Sequence, residues 1–179
     1  MSASTTTATS TQVYPIFIKA SPEAIWDALL SKGKVVWGVA SDDTHDYLAL
    51  DDREAPTPGK AWIVLHAASP TLESIMDAMR KGRFYASTGI SIDTYSADDK
   101  EISISLGRQR TWRSLASDTR YVTRFIGESG KLLAEVPGTA PRYRFKGTEQ
   151  YVRASIIDSD GRRAWTQPVF RDKRGSTAK

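Results

Sequence analysis

The sequence contains no cysteine and only two histidines among its 179 residues. Disulfides, thiolate metal sites and a cysteine nucleophile are therefore excluded. No apolar run approaches the roughly 20 residues that a membrane-spanning helix needs. Residues 1–11 form a Ser/Thr/Ala tract without the basic and apolar segments of a secretory signal, and we predict a disordered tail there. Together these absences favour a cytoplasmic protein with no membrane partner.

Charge is distributed unevenly along the chain. Residues 1–100 carry 9 basic and 13 acidic side chains, whereas residues 101–179 carry 16 basic and 8 acidic ones. A basic half can attract nucleic acid or another polyanion. Basic side chains on the solvent faces of strands explain the same excess more simply, so we favour a nucleic-acid partner least.

The first 90 residues alternate between short apolar runs and amphipathic stretches. The apolar runs predict strands at 12–18, 35–40 and 61–67, and the last two have the composition of strands covered on both faces. Ser21 is the expected N-cap of a helix that ends near Gly33. A second helix is expected from Thr71 to Lys81. Strands that alternate with helices are typical of α/β structure.

After Gly89 the hydrophobic period changes from about 3.6 to 2 residues. The pattern predicts a series of short strands at residues 92–96, 102–106, 121–126, 131–136, 143–146, 151–158 and 164–170. Glycines separate these runs, as expected of an antiparallel sheet or small sandwich. The predicted fold class is α+β, with an α/β unit at 12–90, a β-rich region at 91–171 and a charged tail at 172–179.

The segment with the clearest chemistry follows the second predicted strand. Asp43 and His45 are two residues apart, so in an extended chain their side chains leave the same face. A carboxylate and an imidazole together suit Zn, Mn or Fe ions. A metal needs three or four protein ligands, and the candidates for the remaining positions are Asp42, Asp46, Asp27 and His66. His66 lies in an apolar run, where a histidine is more often a core residue than a ligand.

Four strings in this order resemble one known family. They are VWGVASDDTH (36–45), PGKAWIVLHA (58–67), KGRFYASTG (81–89) and YVRASIIDSDGRRAWTQPVF (151–170). Over residues 31–170 the chain resembles the C-terminal portion of the polymerase-and-histidinol-phosphatase (PHP) family of phosphoesterases. The resemblance implies a distorted (β/α) barrel with a metal cluster at the strand ends, in which Asp43 and His45 belong to the last metal motif.

The chain departs from the family at its N-terminus. PHP proteins have earlier histidine-containing metal motifs, which a chain with two histidines lacks. Residues 12–29 (QVYPIFIKASPEAIWDAL) instead resemble the opening strand and helix of the START-like, helix-grip (polyketide cyclase) superfamily. The two resemblances imply a chimera or truncation, in which residues 12–90 form only a fragment of the barrel.

The PHP resemblance implies a hydrolase of small phosphate esters, whether mono-, di- or triesters, that uses a divalent metal such as Mn, Zn or Fe. Arg83 and Arg53 are candidates for stabilising the charge of the phosphoryl group. A barrel fragment leaves apolar faces and strand edges open, so we expect a homodimer or higher homo-oligomer that completes the site. The alternative is a catalytically inactive remnant that acts as an oligomeric interaction or scaffold module.

Overall fold

The computed structural model describes residues 19–45, 57–107 and 119–171. The predicted strand at 12–18, both predicted tails and the candidate site residues Asp46 and Arg53 lie outside the described residues. The elements, in chain order, are α1 (Pro22–Ser31), β1 (Trp62–Leu65), α2 (Leu72–Arg80), β2 (Phe84–Ser87), β3 (Ile92–Ala97), β4 (Glu101–Leu106), β5 (Tyr121–Ile126), a 3₁₀ turn (Glu128–Gly130), β6 (Leu132–Pro137), β7 (Arg142–Arg144), β8 (Tyr151–Asp158), β9 (Arg163–Thr166) and β10 (Val169–Phe170).

Two antiparallel sheets form the body of the described structure, and the α+β prediction is confirmed. The larger sheet has the strand order β1-β2-β9-β8-β5-β6, with β10 also paired to β8. The smaller sheet has the order β3-β4-β7. The sequence predicts a boundary near residue 90 between an α/β unit and a β-rich region. The large sheet contains strands from both sides of this boundary, because β2 pairs with β9.

The hydrophobic core lies between the two sheets. Ile102 and Ile104 of the small sheet pack with Phe125, Ala154 and Ile156 of the large sheet, and all five are buried. These residues occupy alternate positions on their strands, because successive side chains of a strand point to opposite faces. The period of two in the sequence therefore identified the core face of both sheets.

Both predicted helices are present, with the expected caps. The Ser21 hydroxyl accepts a hydrogen bond from the Ala24 amide at 3.2 Å, and Pro22 occupies the first helical position of α1. The Thr71 hydroxyl accepts one from the Ser74 amide at 3.4 Å at the start of α2. No helix in the described part of the chain is long and apolar enough to cross a membrane.

The predicted buried strand at 35–40 is wrong. This segment has no regular secondary structure, and Val35 and Val39 are 62% and 67% exposed. The prediction for 61–67 is right about the strand but wrong about its burial, because β1 is an edge strand with Trp62 and Val64 exposed. Barrel strands need a neighbour on each side and helices on the outer face. The described residues supply neither for 35–40.

Hydrogen bonds from side chains, and not pairing with another strand, hold the segment at 35–40 in position. The Trp26 indole donates to the Val36 carbonyl at 2.8 Å, and the Trp37 indole donates to the Arg80 carbonyl at 3.0 Å. The side-chain amide of Gln167, between β9 and β10, accepts from Gly38 N at 2.8 Å and donates to Gly38 O at 2.7 Å. The segment is thereby tied to α1, to the end of α2 and to the large sheet.

Candidate functional site

Asp43 and His45 lie side by side in the loop that follows this segment. The Nδ1 atom of His45 is 2.7 Å from the Asp43 carbonyl oxygen. A carbonyl can only accept, so Nδ1 is the donor in this contact. Nε2 lies 4.0 Å from the Asp43 carboxylate oxygen Oδ1. The prediction rested on an extended strand through Asp43 and His45, and residues 34–45 have no regular secondary structure, so their proximity has another origin.

The backbone of this loop is constrained. Asp43 has a φ of +54°, a left-handed conformation that non-glycine residues adopt uncommonly and that aspartate tolerates better than most. The Asp42 carboxylate accepts a hydrogen bond from the Gly59 amide at 2.7 Å, and this bond is the main reason that the pKa of Asp42 is lowered. Asp42 thus connects the loop to the residues just before β1 and orients Asp43 indirectly.

The donor types at Asp43 and His45 fit a divalent cation at two coordination positions. Two ligands of one tetrahedral Zn ion are about 3.4 Å apart, so the two atoms, which are 4.0 Å apart, would have to move closer to bind one ion. Within residues 19–45, 57–107 and 119–171, no group of three or more His, Cys, Asp or Glu side chains is placed to hold a metal. Two of the expected ligands are therefore together, and a third is not supplied by this part of the chain.

Two other candidate ligands lie elsewhere. Asp27 on α1 is buried and accepts hydrogen bonds from Arg153 Nε and Nη2 at 2.8 and 2.7 Å, so its carboxylate is already occupied. His66 is exposed just after β1, which corrects the expectation of a core histidine. Its backbone amide donates to the Arg83 carbonyl at 2.8 Å, which extends the pairing of β1 with the β2 end.

Arg83 and His66 both line a cavity of about 650 Å³. Residues of β1, β2 and β3 and of the segment 166–169 line the cavity, and its aromatic lining consists of Trp37, Phe84, Tyr85 and Tyr95. The Arg83 guanidinium forms an ion pair with Asp77 of α2. The structure therefore brings together two predicted site residues in a concave, largely apolar site of the size that small ligands occupy.

Tyr95 places a hydroxyl inside this cavity. Burial raises the pKa of Tyr95 to about 12, and a hydrogen bond with the buried Thr166 acts in the opposite direction. The phenol therefore stays protonated at neutral pH and is available as a hydrogen-bond donor. Tyr95 is on β3, in register with the core residue Ile104, because the strand has an irregularity between Ile92 and Thr94. A strict period of two counted from Ile92 assigns Tyr95 to the opposite face, so the sequence pattern gave no signal for it.

Trp37 connects the cavity to the acidic loop. It lines the cavity and is six residues before Asp43, so the two residues are at most roughly 20 Å apart along the chain.

Arg153 and Gln167 were not identified from the sequence as functional candidates, although each gave a signal. Arg153 interrupts an otherwise buried strand, where a charge is expected only if paired, and Gln167 precedes a proline that breaks the predicted strand at 164–170.

No family model matches the chain, and no curated protein or solved structure is similar to it at a significant level.

Proposed function

We propose that this chain hydrolyses phosphate esters at a divalent-metal site built around Asp43 and His45, as a remnant of a PHP-type phosphoesterase. The observation that supports the proposal is the proximity of His45 Nε2 to the Asp43 carboxylate, 4.0 Å away. A hydrogen bond from Nδ1 to the Asp43 carbonyl favours the tautomer whose Nε2 can bind a metal. Mn, Zn and Fe all accept this donor pair.

Residues of the chain have distinct roles in this proposal. A divalent ion, when bound, supplies a polarised phosphoryl oxygen and a bound water of lowered pKa. Arg83 lines the cavity and donates hydrogen bonds to phosphoryl oxygens, for which a guanidinium is well suited. The protonated Tyr95 hydroxyl adds a second donor, and the aromatic lining excludes water from the organic part of the substrate.

The remaining ligands come from outside the described residues in this proposal. Asp46 is the nearest candidate in sequence, and a second copy of the chain is the other source. We propose a homodimer or higher homo-oligomer that brings two acidic loops or their neighbours together, located in the cytoplasm. Arg53 also lies outside the described residues, and its role in stabilising the charge of the phosphoryl group stays a prediction.

The test is hydrolysis of chromogenic phosphate mono-, di- and triesters with added Mn or Zn and with chelator. We expect activity that requires the metal and that falls at least about 100-fold in His45→Ala and Asp43→Asn, because a metal contributes several kcal/mol to catalysis. Asp99→Asn is the matched control, since Asp99 is an exposed loop acid distant in sequence from the site. Activity that survives both chelation and His45→Ala would remove the metal from the proposal.

A second candidate is a catalytically inactive module that acts in assembly. It is favoured by the exposure of the two ligand side chains, 78% for His45 and 88% for Asp43, and by the missing third ligand within the described ranges. Elemental analysis of the purified protein distinguishes the two candidates. Retained metal with esterase activity supports the first, whereas a stable oligomer with neither supports the second.

A further inference from the structure

A second cavity, of about 570 Å³, lies on the face of the large sheet opposite the core. The first turn of α1 forms one wall, and strands β5, β8 and β9 form the other. In the strand register Arg124 is opposite Ser155 and Ile126 is opposite Arg153, so these four side chains share the outer face. Arg163 of β9 also lines this cavity. Three guanidinium groups thus surround one concave site, remote in the sequence from Asp43 and His45.

One arginine of this cavity has a buried donor that lacks an acceptor in the described part of the chain. Arg153 is 1% exposed, and its Nε and Nη2 atoms bind Asp27, whereas its buried Nη1 atom has no hydrogen-bond partner among the described residues. A buried donor without a partner costs roughly 1–3 kcal/mol, more when it is charged. Such a group is uncommon in a folded protein and calls for an acceptor.

The other two arginines add free donors. Arg124 uses Nε to bind Glu135 at 2.7 Å, which leaves the rest of its guanidinium fork available. The side chain of Arg163 makes no ion pair with any residue in the described ranges. The Ser129 and Ser155 residues supply further polar groups at the cavity wall, and the N-terminus of α1 contributes a positive dipole end.

We propose that this cavity binds a phosphate-type oxyanion, either free phosphate or the phosphate group of a small organic ester. Guanidinium forks match phosphate oxygens in bidentate geometry, and the three arginines that line the cavity include Arg153, whose Nη1 atom lacks an acceptor among the described residues. The Glu23 carboxylate also lines the cavity and repels an anion. Removal of its charge is therefore expected to strengthen phosphate binding, whereas removal of an arginine weakens it. The site does not depend on a divalent metal, so it stands apart from the function proposed above.

The experiment is isothermal titration calorimetry of the whole chain with inorganic phosphate, in the presence of chelator. Arg163→Gln is expected to weaken binding about 10-fold, since a charge-assisted hydrogen bond contributes roughly that factor. Glu23→Gln is expected to strengthen binding severalfold. Arg142→Gln, an exposed arginine of the other sheet, serves as the matched control and leaves binding unchanged.

Two outcomes would overturn the proposal. One is no binding of phosphate by the wild-type chain at millimolar concentration. The other is an equal loss of binding in Arg163→Gln and Arg142→Gln, which would mean general attraction of anions to a basic protein. Both variants change exposed side chains, so neither result depends on a protein that fails to fold. Phenyl phosphate in a parallel titration separates free phosphate from an ester group, because only an ester site gains affinity from the ring.

Discussion

The Asp27–Arg153 pair joins α1 to the centre of the large sheet through two hydrogen bonds of 2.8 and 2.7 Å. The Tyr151 hydroxyl donates to the same carboxylate at 3.2 Å, and the Trp26 ring lies 4.7 Å from the Arg153 guanidinium carbon. A buried ion pair of this kind adds little net stability over an apolar pair, but loss of one partner leaves an uncompensated charge.

Asp27→Ala is therefore expected to lower the free energy of unfolding by about 3–5 kcal/mol. Glu135→Ala removes one partner of the exposed Arg124–Glu135 pair and is expected to cost under about 1 kcal/mol. Urea denaturation monitored by circular dichroism measures both. Equal losses in the two variants would contradict the difference in burial on which this prediction depends.

Glu149 carries a second residue-scale prediction, about acid stability. Burial raises its pKa, but the Tyr143 hydroxyl at 2.7 Å and the Lys146 and Gly147 amides at 2.9 Å outweigh burial and hold the pKa at about 2. A carboxyl whose folded-state pKa is depressed contributes stability above the unfolded-state value, which is 4.5 here. That contribution is lost as the pH falls from 4.5 to about 2.

Glu149→Gln is expected to be about 1–3 kcal/mol less stable than wild type at pH 7, because it weakens bonds to a buried carboxylate. The difference should shrink as the pH falls from 5 to 2, since the wild type loses the contribution that the variant lacks. Urea titrations at pH 7, 5, 3.5 and 2.5 give the comparison. A difference independent of pH would show that charge on Glu149 plays no part.

At the scale of elements, the segment at 34–40 depends on close contacts as well as hydrogen bonds. A Cβ atom on Gly38 would come within 2.7 Å of the Trp26 ring. A Cβ on Gly82, which has a φ of +66°, would meet the Trp37 ring at 2.7 Å. Both glycines let an indole pack flat against the backbone, and each indole donates to a carbonyl on a different element. Glycine is required at positions 38 and 82 because a Cβ atom there would collide with an indole ring.

Gln167→Leu removes both hydrogen bonds that tie Gly38 to the large sheet. Two neutral hydrogen bonds contribute roughly 1–3 kcal/mol together, so amide exchange at Gly38 is expected to accelerate at least about 10-fold. Hydrogen exchange followed by NMR reports this amide directly. Gln150→Leu is the control and should leave Gly38 protected, because Gln150 bonds to Glu128 and Arg171 through its backbone. An unchanged exchange rate at Gly38 in Gln167→Leu would mean that the contacts of Trp26 and Trp37 are sufficient to hold this segment in position.

At the scale of the whole molecule, apolar surface is concentrated near one end of the large sheet. Leu72 is 76% exposed, and Met76 and Met79 extend the same stripe of α2 at helical spacing. Trp62 and Val64 are exposed on the adjacent edge strand β1. Exposed apolar patches and open strand edges of this kind are typical of association sites.

We expect wild-type protein to form a homodimer in size-exclusion chromatography with light scattering, and Leu72→Glu to shift it toward monomer. A charge placed in an apolar contact disfavours association because it must be desolvated. Leu132→Glu is the matched control, since Leu132 is an exposed leucine on β6 at the opposite edge of the same sheet. A wild-type chain that is monomeric at all concentrations would contradict the oligomer on which completion of the metal site depends.

Local signals predicted a large part of the fold. The helices begin at Ser21 and Thr71 as their caps indicate, and the strands β5 and β8 have the predicted bounds. The prediction of a buried strand at 35–40 was wrong, because an apolar run indicates burial but does not identify the element against which it packs. The role of Asp43 and His45 as metal ligands, the metal, the substrate and the oligomer remain predictions.

The sequence by itself determined where the helices begin and end and which residues alternate into the core. These depend on neighbours within a few positions, so local periodicity and capping are sufficient. Only the tertiary structure decided that Asp27 binds Arg153, 126 residues away, and that Gln167 supports Gly38 across 129 residues. Such partners are selected by the packing of whole elements, and a side chain's identity gives no information about which distant group the fold will place beside it.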